Sequence, residues 1–256
     1  WQMAPDGSAP NPITRSKQDK REPSALIDGR IVFRTSNGKA FLLSRDGQTE
    51  EEILARFQRI NNPSFSPDGK TVLFTRYDPR FKDIRDVWVS DISGQNAVIL
   101  TRDNKLALQP SFSSDGKKIV FVRADDTREN HLLWIMDADG QNARPLTSGK
   151  GKDLFPKFSP DGNFVTFTSN RKNNNFEIYI IGVKNRAMKQ LTRHAGSDSN
   201  SCFSVDGKKI VYVSNQGGLQ QIRMMDTNGE NQVSLTQGPL ESLDPNWTVF
   251  NEDNNL

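Results

Sequence analysis

Apolar residues in this chain come in short runs of consecutive positions, each closed off by Gly, Asp, Asn or Pro. One set follows an Asp-Gly pair: Ile31–Phe33, Val72–Phe74, Ile119–Val122, Phe164–Phe167 and Ile210–Val213. After a polar loop a second set appears: Phe41–Leu43, Val87–Val89, Leu133–Met136, Ile178–Ile181 and Ile222–Met225. The runs are too short for helices and are rich in β-branched and aromatic side chains, so they predict strands joined by tight turns. Each unit reads as a four-stranded antiparallel meander. Strand A precedes Asp-Gly, strand B follows it, strand C is the second run, and strand D falls at a Leu-Thr pair (Leu100-Thr101, Leu146-Thr147, Leu191-Thr192, Leu235-Thr236). Strands B and C do not alternate apolar with polar, so both faces of each sheet must be covered.

The unit repeats. Pro63-Ser-Phe-Ser-Pro-Asp-Gly69, Pro110-Ser-Phe-Ser-Ser-Asp-Gly116, Pro156-Lys-Phe-Ser-Pro-Asp-Gly162 and Ser201-Cys-Phe-Ser-Val-Asp-Gly207 align without gaps, and Pro23-Ser-Ala-Leu-Ile-Asp-Gly29 is a weaker copy. Four strands in a period of roughly 45 residues are the mark of a β-propeller. The Thr slot closing one unit and the Pro slot opening the next keep a constant spacing in six pairs: Thr14 and Pro23, Leu54 and Pro63, Thr101 and Pro110, Thr147 and Pro156, Thr192 and Ser201, Thr236 and Pro245. A closed ring of six blades has six such linkers. The predicted fold is therefore all-β: a six-bladed propeller of four-stranded antiparallel blades filling residues 1–256 as one domain. Full blades are expected at 23–57, 63–101, 110–147, 156–192 and 200–236, with residues 1–14 and 245–256 sharing the closing blade. Trp1 to Thr14 aligns on Trp134 to Thr147, and Pro245-Asn-Trp247 aligns on Pro63-Ser-Phe65. Closure of this kind removes a free sheet edge. Neither end supplies strand B of that blade, and its residues are expected upstream of Trp1.

Composition narrows the picture. Only 34% of residues are apolar, so the core must be thin layers between sheets, and no run approaches the ~20 apolar residues of a membrane-spanning helix. The 18 Gly and 13 Pro residues exclude a coiled coil. A single cysteine, Cys202, excludes an intrachain disulfide and reads as a buried structural thiol beside Phe203. The net charge of +3 does not by itself imply nucleic-acid binding.

The Phe-Ser-Pro-Asp-Gly motif, Thr168-Ser-Asn-Arg171, Phe176-Glu-Ile-Tyr179 and Trp134-Ile-Met-Asp-Ala-Asp-Gly-Gln-Asn-Ala-Arg-Pro-Leu-Thr147 together resemble the PD40 repeat of TolB-like propellers, over essentially the whole chain. The resemblance implies a six-bladed ring, a periplasmic or cell-envelope setting, and protein binding at one mouth of the ring. TolB carries an α/β domain ahead of its propeller, and this sequence shows no such segment. Related propellers occur in prolyl-oligopeptidase-type peptidases and in oligogalacturonate lyases.

No catalytic motif stands out. The Asp-Gly pairs suit turns, because Asp bonds its own backbone and Gly supplies positive φ. Asp137 to Gly140 looks like part of a calcium loop but lacks the downstream Glu. The two histidines, His131 and His194, fit no zinc spacing and read as isolated surface residues. No nucleophile elbow and no phosphate-binding loop occur, and Gly149–Lys152 reads as a basic linker. No cofactor is called for; a channel-bound cation such as calcium is compatible with the pattern but not indicated by it.

In an A-B-C-D meander the B–C loops and D–A linkers leave one face and the turns leave the other. The loops and linkers are net positive, while the remainder of the chain is net negative. Loops on a rigid scaffold commonly carry function, and a one-signed field attracts the opposite charge. The expected function is a non-catalytic, monomeric protein-binding scaffold that takes an acidic protein or peptide, and no nucleic acid, at this mouth. The candidate residues are Arg76, Tyr77, Arg80, Phe81, Arg123, Arg171 and His194, with Phe155 and Asp244 at the starts of strand A. Reversing Arg76, Arg80 and Arg171 to Glu is expected to slow association while leaving the fold intact. Two alternatives stand beside this: a metal-dependent lyase or hydrolase with its site in the central channel, and an accessory propeller domain of a larger protein.

Overall fold

The Asp-Gly turns set the framework. In four of them a serine hydroxyl donates to the Asp carboxylate: Ser66 to Asp68 at 2.5 Å, Ser113 to Asp115 at 2.6 Å, Ser159 to Asp161 at 2.5 Å and Ser204 to Asp206 at 2.6 Å. The same carboxylates accept the amides of Lys70, Lys117, Asn163 and Lys208 at 3.0–3.1 Å. These bonds hold all four carboxyls below their ordinary pKa, the serine contribution being largest. Gly69, Gly116, Gly162 and Gly207 have φ of 68–71°, as the turn requires. The motif is thus local turn chemistry.

The computed structural model describes residues 1–14, 19–26, 28–77, 84–238 and 244–247. Among these there is no helix. Twenty strands form five four-stranded antiparallel sheets, each in simple sequential order. Blade one comprises β1 (Lys20–Ala25), β2 (Ile31–Thr35), β3 (Ala40–Leu43) and β4 (Glu50–Ile53). Blade two comprises β5 (Asn61–Phe65), β6 (Thr71–Tyr77), β7 (Arg85–Asp91) and β8 (Val98–Ile99). Blade three holds β9 (Ala107–Phe112), β10 (Lys118–Ala124), β11 (His131–Asp137) and β12 (Arg144–Pro145). Blade four holds β13 (Asp153–Phe158), β14 (Phe164–Ser169), β15 (Glu177–Gly182) and β16 (Met188–Gln190). Blade five holds β17 (Asp198–Phe203), β18 (Lys209–Ser214), β19 (Gln221–Asp226) and β20 (Val233–Ser234).

The first strand of each blade packs on the first two strands of the blade before it, and from blade three onward on the third as well, so successive sheets turn about an axis lined by β1, β5, β9, β13 and β17. Apolar clusters fill the spaces between sheets. Val72 and Phe74 meet Leu26 and Val32 between blades one and two, and Ile119 and Phe121 meet Leu73 and Val87 between two and three. Val165 and Phe167 meet Val120 and Val122 between three and four, and Ile210 and Tyr212 meet Ile178 and Leu191 between four and five. This two-sided burial explains why strands B and C do not alternate. Strand D ends just before the Leu-Thr pair. That pair folds back on strand C: the amides of Leu100, Leu146, Leu191 and Leu235 donate to Val87, Leu133, Ile178 and Ile222. The following threonine hydroxyl accepts from those same strand-C amides at 2.9–3.0 Å.

The sixth sheet expected from the linker count is not formed among the described residues. Gln2 and Asn11 make one isolated antiparallel bridge, and residues 244–247 belong to no strand. No strand lies between these two segments among the described residues. Neighbouring strands are ~4.8 Å apart, so an A strand and a C strand without their middle strand are ~10 Å apart and cannot bond. Both termini nevertheless cover blade five, where Met3 and Trp247 pack on Cys202, Val211 and Ile222. Asp244 accepts from the Glu22 amide of blade one at 3.3 Å and from Asn200 Nδ2 of blade five at 2.6 Å. Asn246 Nδ2 donates to the Pro23 carbonyl at 3.2 Å.

Candidate functional site

The channel is built by one repeated irregularity. Each strand A bulges at the residue before its Pro or Ser slot, and the register shifts there in all five sheets. The bulged residues are Glu22, Asn62, Gln109, Phe155 and Asn200, and Asp244 takes the same conformation; all six have φ of 51–54°. Five of these positions precede a proline. A non-glycine residue in this region is held at a cost of ~1–2 kcal/mol, so the surrounding contacts must impose it. Their side chains partly do so. Glu22 Oε2 accepts the Asn62 amide at 2.6 Å, Gln109 Oε1 accepts the Phe155 amide at 2.8 Å, and Asp244 Oδ2 accepts the Glu22 amide. Glu22 is further paired with Arg34 at 2.8 Å. Among the described residues Asn62 and Asn200 accept no amide of the next blade, and at Phe155, whose ring cannot accept, the Asn200 amide bonds Thr168 Oγ1 instead at 3.2 Å. These six residues, with the slot residues and Lys157, line a cavity of about 80 Å³. Burial pushes the Lys157 ammonium to a lower pKa, with Cys202, Asp244 and Glu22 pulling it back. Burial likewise pushes the Cys202 thiol up to about 11, which makes it the inert thiol read from the sequence.

The expected mouth residues divide. Arg80 and Phe81 lie outside the described residues. Phe155 and Asp244 stand together in the channel ring. Arg76 stacks over Phe57 and Trp88 at 5.3 and 5.8 Å, and Tyr77 lies under Arg85, 4.2 Å from guanidinium to ring centroid. Arg123 is buried, paired with Asp103 at 2.6 Å and stacked over Trp134 at 4.4 Å. Arg171 is paired with Asp153 at 2.6 Å and stacks over Phe167 and Tyr179. Arg76, Arg123 and Arg171 thus repeat one device, an arginine laid across two aromatic rings, and two of the three charges are spent inside the fold.

Neither histidine is an isolated surface residue. His131 is half-buried, and burial followed by the nearby Lys152 lowers its pKa. His194 Nε2 lies 2.9 Å from Asp198 Oδ2, and its amide donates to Glu177 Oε1 at 3.2 Å. Glu177, His194 and Asp198 are the one group of three converging His, Asp or Glu side chains among the described residues, and none of them lines the channel cavity.

Fold and ring together define a β-propeller with a polar central channel. The family model of PD40, the TolB beta propeller domain, matches residues 80–253, and the chain belongs to that family. Among solved structures it is similar to a protein of Agrobacterium tumefaciens assigned to TolB, with 23% identity and a TM-score of 0.79 over 92% of this chain and 88% of that one. It is also similar to TolB from Acinetobacter baumannii, with 22% identity and a TM-score of 0.81 over 94% of this chain and 60% of that one. An oligogalacturonate lyase in complex with manganese shares the fold at 17% identity and a TM-score of 0.61, covering 87% of this chain and 66% of that one.

Proposed function

We propose that this chain is a non-catalytic scaffold of the periplasm or cell envelope that binds a protein segment at the channel mouth. The ring it presents has six positions, the sixth filled jointly by the two termini, which seal blade five to blade one. The observation that carries the reading is Phe155. The other five ring residues are polar, whereas Phe155 sets an apolar ring into the channel lining, its amide held by Gln109 Oε1. The conformation is the one every strand A takes at this position, so what sets Phe155 apart is an apolar ring among polar neighbours facing the channel. A cavity of about 80 Å³ admits one side chain or one chain end, not a whole strand, so the partner would dock on the mouth and insert a single anchor beside Phe155. Arg76 and the basic linkers then supply the rim. The lyase or hydrolase alternative finds no support in the channel lining, where Glu22 and Asp244 are engaged with backbone amides and with Asn200.

The test is Phe155→Asn. Asn tolerates positive φ, so the fold should be kept. Partner captured from envelope extract should bind about tenfold more weakly, the loss of ~1.4 kcal/mol expected for a small aromatic anchor. Unchanged affinity in this variant, with affinity lost instead in Phe164→Asn on the opposite face, would contradict the proposal.

A further inference from the structure

Two acidic side chains are buried side by side at the junction of blades four and five. Glu177 opens β15, Asp198 opens β17, and His194 lies in the linker between the blades. Glu177 is 4% exposed and Asp198 is fully buried. One donor atom from each of the three residues falls within 4.8 Å of the other two. Burying carboxylates in this way is costly unless a positive charge accompanies them.

The preceding junction shows what normally supplies that charge. Asp153 opens β13 at the equivalent position, is equally buried, and is met by Arg171 Nη2 at 2.6 Å and Ser169 Oγ at 2.6 Å. The segment Ser169-Asn-Arg171 corresponds to Ser214-Asn-Gln216 in blade five. The equivalence is visible in the bonds: Asn170 Oδ1 accepts the Lys152 amide at 2.7 Å, and Asn215 Oδ1 accepts the Ser197 amide at 2.6 Å. Gln216 therefore stands where the arginine would be, and its Oε1 is turned to Arg223. Among the described residues no Lys or Arg forms an ion pair with Glu177 or Asp198; His194 alone faces them. Glu177, bonded by Thr192 as Asp86 is by Thr101, thus stands beside Asp198 at a junction without the arginine of the preceding one.

Coordination capacity is left over at the same place. His194 Nδ1 and Asp198 Oδ1 are buried without a hydrogen bond of good geometry, although the Ser214 and Thr192 hydroxyls lie near the Asp198 carboxylate. Glu177 is already oriented, by Thr192 Oγ1 at 2.6 Å on one oxygen and by Asn175 Nδ2 at 2.8 Å on the other, the kind of outer contact that holds a metal ligand in place. We propose that Glu177, His194 and Asp198 bind one divalent transition-metal ion, of which Zn²⁺ is the best match, tying β15, the linker and β17 together on the mouth side of the ring. One imidazole and two carboxylates suit Zn²⁺, which takes N and O donors at ~2.0–2.2 Å in tetrahedral sites and leaves the fourth place to water. Ca²⁺ and Mg²⁺ ask for six or more oxygens and are not matched by this set. The site is separate from the channel and does not depend on the protein-binding reading.

The experiment uses the untagged full chain, stripped with EDTA and desalted. Titration with ZnCl₂ in a non-coordinating buffer is expected to give one ion per chain at micromolar affinity or tighter, with a raised Tm. Co²⁺ should give the visible absorption of a four-coordinate site. His194→Ala should weaken binding at least tenfold, and His131→Ala, at the chain's other histidine, should leave it unchanged. Asp198→Asn, near-isosteric, should reproduce the loss if His194→Ala perturbs folding by circular dichroism. Millimolar CaCl₂ or MgCl₂ should not displace the ion. Absence of any binding up to 1 mM ZnCl₂, binding that survives both His194→Ala and Asp198→Asn, or binding that disappears with His131→Ala would overturn the proposal.

Discussion

Replacing Arg171 with Met is expected to destabilise the protein by about 3 kcal/mol, the effect of leaving a buried carboxylate without its partner. Asp153 is buried and its charge is met by Arg171 Nη2 and Ser169 Oγ, both at 2.6 Å. Arg171 also bonds the Ser148 carbonyl at 3.4 Å and lies over Phe167 and Tyr179, so it links blade four to the linker before it. Methionine keeps part of the packing but not the charge. The double variant Arg171→Met with Asp153→Asn should recover much of the loss, because the amide removes the unpaired charge. Urea denaturation followed by circular dichroism reads both, with a lower midpoint and an unchanged slope expected for the single variant. The pairing argues against one expectation from the sequence: reversal of Arg171 to Glu would set a second carboxylate against buried Asp153 and is expected to destabilise the fold.

Ending the chain before Asp244 is expected to cost about 4 kcal/mol, which for a chain of this size lowers Tm by ~8–16 °C. Trp247 would no longer cover Cys202, Val211 and Ile222, the Glu22 amide and Asn200 Nδ2 would lose their acceptor, and the Pro23 carbonyl its donor. Amide hydrogen exchange should then rise at Glu22 and along β17 before it rises in blades two and three. A truncated chain with unchanged Tm and unchanged exchange at Glu22 would mean that the terminus does not close the ring.

The repeat was legible because its signals are local. Ser-x-Asp-Gly makes its turn from its own side chains, and the unbroken apolar runs report two-sided burial directly. Strand boundaries were less clear: strand A begins a few residues before its proline because the bulge extends the ladder backward, and strand D stops before the Leu-Thr pair because that threonine bonds strand C. The blade count misled at the ends, where matching A and C segments suggested a sheet that has no strand B among the described residues. Of the channel-ring residues, Phe155 and Asp244 were named from their slot, whereas Glu22, Asn62, Gln109 and Asn200 were not. Nothing in Glu or Gln as residue types announces φ of 51–54°, although six residues preceding a repeated slot, five of them polar, were there to be read. Loop charge was visible in the sequence, whereas the pairing of Arg123 with Asp103 and of Arg171 with Asp153 was not. The convergence of Glu177, His194 and Asp198 comes from two adjacent blades and follows no sequence spacing.

Entry of a partner segment into the channel mouth beside Phe155 can be tested whatever the identity of that partner. A photoreactive phenylalanine analogue is placed at position 155 and, separately, at position 164 on the opposite face. Irradiation in envelope extract should yield a discrete protein adduct from position 155, competed away by the unlabelled chain, and none from position 164. An adduct formed at position 164 and absent at position 155 would place the partner on the Asp-Gly turn face and contradict binding at the mouth.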